Sequence, residues 1–96
     1  MIRQIDHNAL SDLQAADPSL KLIDVREDFE HEAFNIGGDN IPLNEILQAG
    51  KDFPKDTPVV LYCRKGIRSA IAIQRLHDRY GFTNLLNLEG GLDKKP

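Results

Sequence analysis

The most constraining feature of the sequence is an uninterrupted apolar stretch, residues 59–62 (Val-Val-Leu-Tyr), that runs directly into the sole cysteine, Cys63. A strand without polar residues has to be covered on both faces, as strands are in parallel sheets packed between helices. Residues 69–80 follow after a short loop and have helical periodicity, with one apolar face formed by Ala70, Ile73, Leu76 and Tyr80. A buried strand joined by a tight loop to an amphipathic helix predicts one unit of an α/β fold.

The rest of the chain repeats this alternation of strands and helices. Further strands are predicted at 2–5, 20–25 and 85–88, and further helices at about 7–15, 27–34 and 43–50. Because the elements alternate across short connections, we expect a mainly parallel central sheet flanked by helices on both faces. The 96 residues contain no internal repeat and no linker, so residues 1–96 are predicted to form a single domain.

The distribution of charge changes sign at Cys63. Residues 1–62 contain five Lys or Arg and twelve Asp or Glu, a net charge of −7, whereas residues 63–96 contain seven and three, a net charge of +4. The whole chain carries −3 and has an isoelectric point near 5.5. Such an acidic chain is not expected to bind nucleic acid. The basic residues instead begin immediately after the cysteine.

A single cysteine excludes an intrachain disulfide framework and a multi-cysteine zinc site. The longest apolar run, residues 59–63, is far too short to cross a membrane. No apolar stretch follows the first three residues, so no signal peptide is expected. We therefore expect no membrane association and a cytoplasmic location, where thiols stay reduced.

The segment from Cys63 to Ser69 joins the end of the buried strand to the start of the amphipathic helix. A junction of this kind directs backbone N–H groups at a common point, and the positive end of the helix dipole lies there too. Gly66 allows a tight turn without a Cβ in the way. Positive charge is added by three side chains, Arg64, Lys65 and Arg68. The sequence therefore predicts an anion-binding loop with the cysteine sulfur at its mouth.

Cationic surroundings favour the thiolate of a cysteine, which is the reactive form. We therefore interpret Cys63 as a nucleophile. The loop would bind an anionic substrate and stabilise the negative charge of a covalent intermediate, through Arg64, Lys65, Gly66, Ile67, Arg68 and Ser69. The alternative is a small buried residue at a strand end, which accounts for the cysteine but not for three cations and a glycine before a helix.

Three segments resemble the signatures of the rhodanese, or sulfurtransferase, domain. Residues 63–69 (Cys-Arg-Lys-Gly-Ile-Arg-Ser) resemble its active-site loop. Residues 22–27 (Leu-Ile-Asp-Val-Arg-Glu), continued by 41–43, resemble its first signature, and 88–92 (Leu-Glu-Gly-Gly-Leu) its closing signature. The segments stand in the family's order, and the resemblance extends over residues 20–92. It implies a rhodanese-like fold that uses neither a metal ion nor a cofactor.

The resemblance also implies a reaction. The thiolate of Cys63 attacks the sulfane sulfur of a donor such as thiosulfate, sulfite leaves, and the cysteine carries a persulfide. A second nucleophile, cyanide in vitro or a thiol or protein acceptor in the cell, then removes the outer sulfur. The donor is a small anion, in agreement with the cationic loop. The pair Arg64-Lys65 resembles the thiosulfate-using branch of the family more than the mercaptopyruvate-using branch.

Two other functions remain open. Cysteine-dependent phosphatases and arsenate reductases of similar architecture use Cys-x5-Arg, whereas Arg68 follows Cys63 in a shorter Cys-x4-Arg loop. The other alternative is a binding or regulatory module that keeps the rhodanese fold without catalysis. An intact cysteine loop argues against this alternative.

The remaining charged residues are interpreted as structural. Asp24 and Arg26, at the end of a predicted strand, are expected to form a structural ion pair or a cap, the alternative being that one of them orients the Cys63 loop. The helix at 27–34 is expected to expose a solvated acidic face composed of Glu27, Asp28, Glu30 and Glu32. The three histidines, His7, His31 and His77, lack metal-ligand spacing and are expected to lie at or near the surface.

Overall fold

The structure, a computed structural model, describes residues 2–94. Its five strands are β1 (Arg3–Ile5), β2 (Lys21–Asp24), β3 (Asp39–Asn40), β4 (Val59–Tyr62) and β5 (Leu85–Leu88). Its four α-helices are α1 (His7–Ala16), α2 (Asp28–Ala33), α3 (Ile46–Gly50) and α4 (Ile67–Tyr80). Two short 3-10 turns, Leu43–Glu45 and Gly91–Asp93, precede α3 and follow β5.

The strands form one parallel sheet in the order β1-β5-β4-β2-β3. β4 lies in the middle, where Val60 is in register with Leu22 of β2 and with Leu86 of β5. All four residues of β4 are buried. The apolar strand therefore has neighbours on both edges and cover on both faces, as its sequence predicts.

Helices cover both faces of the sheet, because alternate side chains of β4 point in opposite directions. Val59 and Leu61 join a cluster that contains Ile46 of α3 and Leu76 of α4. Val60 and Tyr62 join a second cluster that contains Leu10 of α1. The predicted mainly parallel α/β sheet with helices on both faces is confirmed. Among residues 2–94, no helix combines the length and the apolar character that crossing a bilayer requires.

The observed helix boundaries differ from the predicted ones at one place that matters for the site. Helix α4 begins at Ile67, two residues before Ser69, because Gly66 adopts φ +87° and turns the chain directly into the helix. Ile67, Arg68 and Ser69 are therefore the first three helical residues, whose N–H groups have no partner within the helix. The predicted anion-binding loop is thus part loop and part helix N-terminus.

Candidate active site

Three chain segments meet at the carboxyl edge of the sheet. Cys63 follows β4, Val25 and Arg26 follow β2, and the turn at Gly91–Asp93 follows β5. This turn is hydrogen-bonded to the cysteine segment, since Leu92 N–H donates to the carbonyl of Cys63 (3.0 Å) and Asp93 N–H to that of Arg64 (2.9 Å). Ligands of open parallel sheets bind at this edge.

The sulfur of Cys63 lies among polar groups of the residues that follow it. Gly66 N–H donates to Sγ at 3.1 Å and Ser69 N–H at 3.4 Å, and Ser69 Oγ lies 3.4 Å from Sγ. The residue is only 1% exposed. Two N–H groups and the positive end of the α4 dipole stabilise negative charge on the sulfur. The structure thus brings Cys63, Gly66 and Ser69 together as the sequence predicts.

A pocket of about 280 Å³ opens beside the cysteine segment and is lined by Cys63, Arg64, Lys65, Ile67 and Arg68. A water molecule in the liquid takes roughly 30 Å³, so the pocket has room for a small anion. All five lining residues are among the nucleophile and anion-binding residues that the sequence predicts. Gly66 and Ser69, the other two predicted loop residues, are buried and are not part of this lining.

Arg68 is paired with Glu30 of α2, a contact that sequence reasoning missed. Its two terminal nitrogens donate to the two carboxylate oxygens at 2.6 and 3.0 Å. The hydrogen bond from Arg68 lowers the pKa of Glu30 from 4.5 to about 2. The interpretation of Glu30 as part of a solvated acidic face is wrong, because its side chain is only 19% exposed. The other three acids of that face are exposed, namely Glu27, Asp28 and Glu32.

The Arg68–Glu30 pair predicts acid sensitivity. A carboxylate whose pKa is lowered on folding stabilises the protein above its unfolded pKa of 4.5, and this stability is lost as the pH falls toward about 2. Glu30→Gln should therefore flatten the decline of unfolding free energy over this interval. Urea unfolding at several pH values measures it. Glu32→Gln, at an exposed position of the same helix, is the control, and an equal flattening in that variant would contradict the prediction.

The other two loop cations differ in their surroundings. Arg64 Nε lies 3.2 Å from a carboxylate oxygen of Asp93, and both side chains are largely exposed. Lys65 is exposed, and no carboxylate among residues 2–94 lies within ion-pair distance of it. Of the three cations, Lys65 therefore has its charge least offset by acids.

Asp24 and Arg26 form the predicted ion pair, and both are buried. Arg26 donates three side-chain hydrogen bonds to the carboxylate of Asp24, and His31 Nδ1 lies 2.8 Å from the same group. Burial alone raises the pKa of Asp24, but hydrogen bonds from Arg26 and His31 outweigh it and leave the pKa below its usual value. The pair fixes the end of β2 beside the pocket. Arg26 also donates to the carbonyl of Phe34, so the pair joins the end of β2 to the end of α2.

A family model of the rhodanese-like domain matches residues 6–94 of the chain. The chain belongs to the rhodanese-like domain family. The resemblance of the three sequence segments to that family is thereby confirmed. Within residues 2–94 of this rhodanese-like domain, no group of three or more His, Cys, Asp or Glu side chains is placed to hold a metal ion.

Relatives of the domain include a sulfurtransferase of Allochromatium vinosum, 34% identical over 93 residues, which are 96% of this chain and 86% of the relative. The protein YqhL of Bacillus subtilis is 44% identical over 75 residues, which are 77% of this chain. This rhodanese-like domain spans 59% of the length of YqhL and 19% of the length of the probable adenylyltransferase/sulfurtransferase MoeZ of Mycobacterium tuberculosis.

Solved structures agree with the observed fold. The human single-domain sulfurtransferase TSTD1 superposes on the domain with a TM-score of 0.80 at 27% identity, over 100% of both chains. The rhodanese-like domain therefore has the architecture of a sulfurtransferase, in a family to which sulfurtransferases belong.

Proposed function

We propose that this rhodanese-like domain transfers a sulfane sulfur from thiosulfate, or a similar small anionic donor, to a thiophilic acceptor through a persulfide on Cys63. The observation that carries the proposal is that Cys63 lines an open pocket while its sulfur is hydrogen-bonded to the N–H groups of Gly66 and Ser69. A cysteine that served only to fill the core would need neither the pocket nor the donors.

The proposed first step forms one S–S bond and breaks another. The thiolate of Cys63 attacks the sulfane sulfur of thiosulfate, and the bond between the two donor sulfurs breaks. Sulfite leaves with the electron pair of that bond, and the cysteine is left as a persulfide anion. No oxidant, reductant or proton is required, because three negative charges enter the step and three leave it.

The second step returns the cysteine to its thiolate. An acceptor nucleophile attacks the outer sulfur, and the S–S bond of the persulfide breaks with its electron pair on Cys63. With cyanide the product is thiocyanate, and with a thiol or protein acceptor it is a new persulfide. Between the two steps the negative charge lies on the outer sulfur, within the pocket whose N–H groups and helix dipole favour anions.

The loop is suited to the donor by its positive field. The N–H groups at the start of α4 and the charge of Lys65 act on the same pocket, while Arg64 and Arg68 are each opposed by a carboxylate. We propose that backbone groups of residues 64–69 bind the donor and that Lys65 attracts it, with the two arginines contributing the remainder of the charge. The acceptor, a thiol or a protein, reaches the outer sulfur through the open side of the pocket.

The proposal includes a single domain of residues 1–96 and a cytoplasmic location. A persulfide carrier has to keep its cysteine reduced between turnovers, a condition that the cytoplasm provides. No role for nucleic acid or for a membrane is proposed.

Turnover of thiosulfate with cyanide tests the proposed activity. We expect thiocyanate to form at a rate proportional to enzyme, with mercaptopyruvate a poorer donor and no hydrolysis of an aryl phosphate. Hydrolysis that is lost after alkylation of Cys63 would instead identify a phosphatase. Absence of turnover with every sulfur donor would favour a binding module.

Lys65→Ala should raise the KM for thiosulfate by about tenfold at low ionic strength, because it removes the loop cation whose charge is least offset. The effect should shrink as salt is added, since the side chain is exposed. Lys51→Ala removes an equal charge at the C-terminal end of α3 and is the matched control. An equal rise of KM in the two variants would show that net charge, and not the loop, attracts the donor.

A further inference from the structure

Asn87 is a polar residue in the middle of the sheet. It lies in β5 among Leu85, Leu86 and Leu88, and it is only 2% exposed. A buried amide is costly unless its groups are hydrogen-bonded. Leucine at this position would extend the apolar strand, so the presence of asparagine calls for a reason.

The amide of Asn87 is hydrogen-bonded at both of its polar atoms. Nδ2 donates to Gln4 Oε1 at 2.9 Å and to the carbonyl oxygen of Gly66 at 3.1 Å. Oδ1 lies 2.5 Å from Oγ of Ser69. The buried side chain thus links β1, β5 and the segment that carries the sulfur.

These contacts fix the position of the Ser69 proton. The carbonyl oxygen of Gly66 can only accept, so turning the Asn87 amide round would lose this hydrogen bond and set two oxygens against each other. Oδ1 therefore faces Ser69, and it has no proton to donate. The hydroxyl of Ser69 has one proton, which has to lie on the short contact with Asn87. It is then not available to Cys63 Sγ, 3.4 Å away.

The sulfur consequently receives fewer hydrogen bonds than its surroundings suggest. The N–H groups of Gly66 and Ser69 donate to it, whereas the Ser69 hydroxyl presents lone pairs. A thiolate with fewer hydrogen bonds is more basic, and more basic thiolates are more nucleophilic toward sulfur. Asn87 thereby affects the reacting atom without touching it.

We propose that Asn87 is a positioning residue of the sulfur carrier, which holds the Ser69 hydroxyl proton away from Cys63 and so keeps the thiolate strongly nucleophilic. The inference rests on the proposed function of Cys63. The test measures the ionisation and reactivity of the Cys63 thiol without a sulfur donor. It records the pH dependence of thiolate absorbance and of alkylation by iodoacetamide. Because alkylation needs no sulfur donor, its outcome is independent of the thiocyanate assay.

Charged residues lie on each element around the cysteine segment. The loop contributes three cations, and acids or further charges come from the end of β2, from α2 and from the turn after β5, namely Asp24, Arg26, Glu30, His31 and Asp93. The variants below retain all of these charged groups. A difference between variants in the midpoint of thiol ionisation therefore cannot come from them.

In Asn87→Leu the hydroxyl of Ser69 is released to donate to the thiolate. One charge-assisted hydrogen bond should move the midpoint of ionisation down by about one pH unit. The rate constant of the fully ionised thiol should fall about threefold. A variant that merely loosens the loop would lose the N–H donors and move the midpoint up, which would overturn the proposal.

Ser69→Ala supplies the second test, at a helix position where alanine is favourable. It removes a hydroxyl that does not donate to the sulfur, so no measurable shift of the midpoint is expected. An upward shift of about one unit would show that the hydroxyl does donate, and the proposal would be wrong. In the double variant Asn87→Leu with Ser69→Ala, the downward shift should vanish, and its persistence would also overturn the proposal. Gln4→Leu, which leaves Oδ1 of Asn87 in place, is the control.

Discussion

Cys63→Ser should abolish sulfur transfer and leave the domain folded. Thiocyanate formation should fall at least about a thousandfold, to the uncatalysed rate, because a serine hydroxyl is not ionised near neutral pH and forms no S–S bond. The serine oxygen retains the N–H donors of Gly66 and Ser69. We therefore expect a cost in stability of only about 1 kcal/mol, within the usual range of single substitutions.

Steady-state thiocyanate assays and urea unfolding measure the two effects separately. Cys63→Ala is the matched control, since it removes the sulfur without supplying a hydroxyl. Both variants should be inactive and folded. Turnover in either variant at the wild-type rate would place the chemistry at another residue.

Gly91→Ala should have the largest effect on the structure of the site. Gly91 adopts φ +59°, and a Cβ at this position would overlap the carbonyl oxygen of Cys63 and lie 2.6 Å from the carbonyl carbon of Arg64. These neighbours are backbone atoms of the cysteine segment, which cannot move aside without displacing the sulfur. We expect a loss of about 2–4 kcal/mol in unfolding free energy, together with at least a tenfold loss of sulfur transfer.

Gly81→Ala separates the clash from the conformational cost. Gly81 also has a positive φ, +76°, but a Cβ there would meet nothing within 4 Å. It should cost only about 1–2 kcal/mol, the usual penalty for a left-handed residue with a side chain, with activity retained once the protein is folded. Equal costs of the two substitutions, measured by urea unfolding, would contradict the predicted clash.

Local sequence was sufficient to predict the strands that lead into the site. Strands β4 and β5 have the predicted bounds because β4 is an apolar run and β5 a leucine-rich one, each bordered by residues that end a strand. The anion-binding segment was also predictable, since a glycine and an amphipathic helix follow the cysteine directly. The start of α4 could not be predicted in this way, because the left-handed conformation of Gly66 depends on its surroundings in the folded chain.

Contacts between distant segments account for what the sequence did not predict. Glu30 and Arg68 are 38 residues apart, and no local pattern distinguishes Glu30 from the exposed acids beside it. Asn87 did leave a signal, because it is the one polar residue in an otherwise leucine strand. Its partner Ser69 could not be named, since their contact depends on how β5 packs beside the start of α4.

The central claim is that Cys63 carries the transferred sulfur, and intact-protein mass spectrometry tests it most directly. After incubation with thiosulfate and removal of the excess, the wild-type protein should gain the mass of one sulfur atom, located on the peptide that contains Cys63. The gain should disappear on addition of cyanide and be absent in Cys63→Ser. A wild-type protein that gains no sulfur from thiosulfate or from other sulfane donors, or an equal gain in Cys63→Ser, would contradict the account.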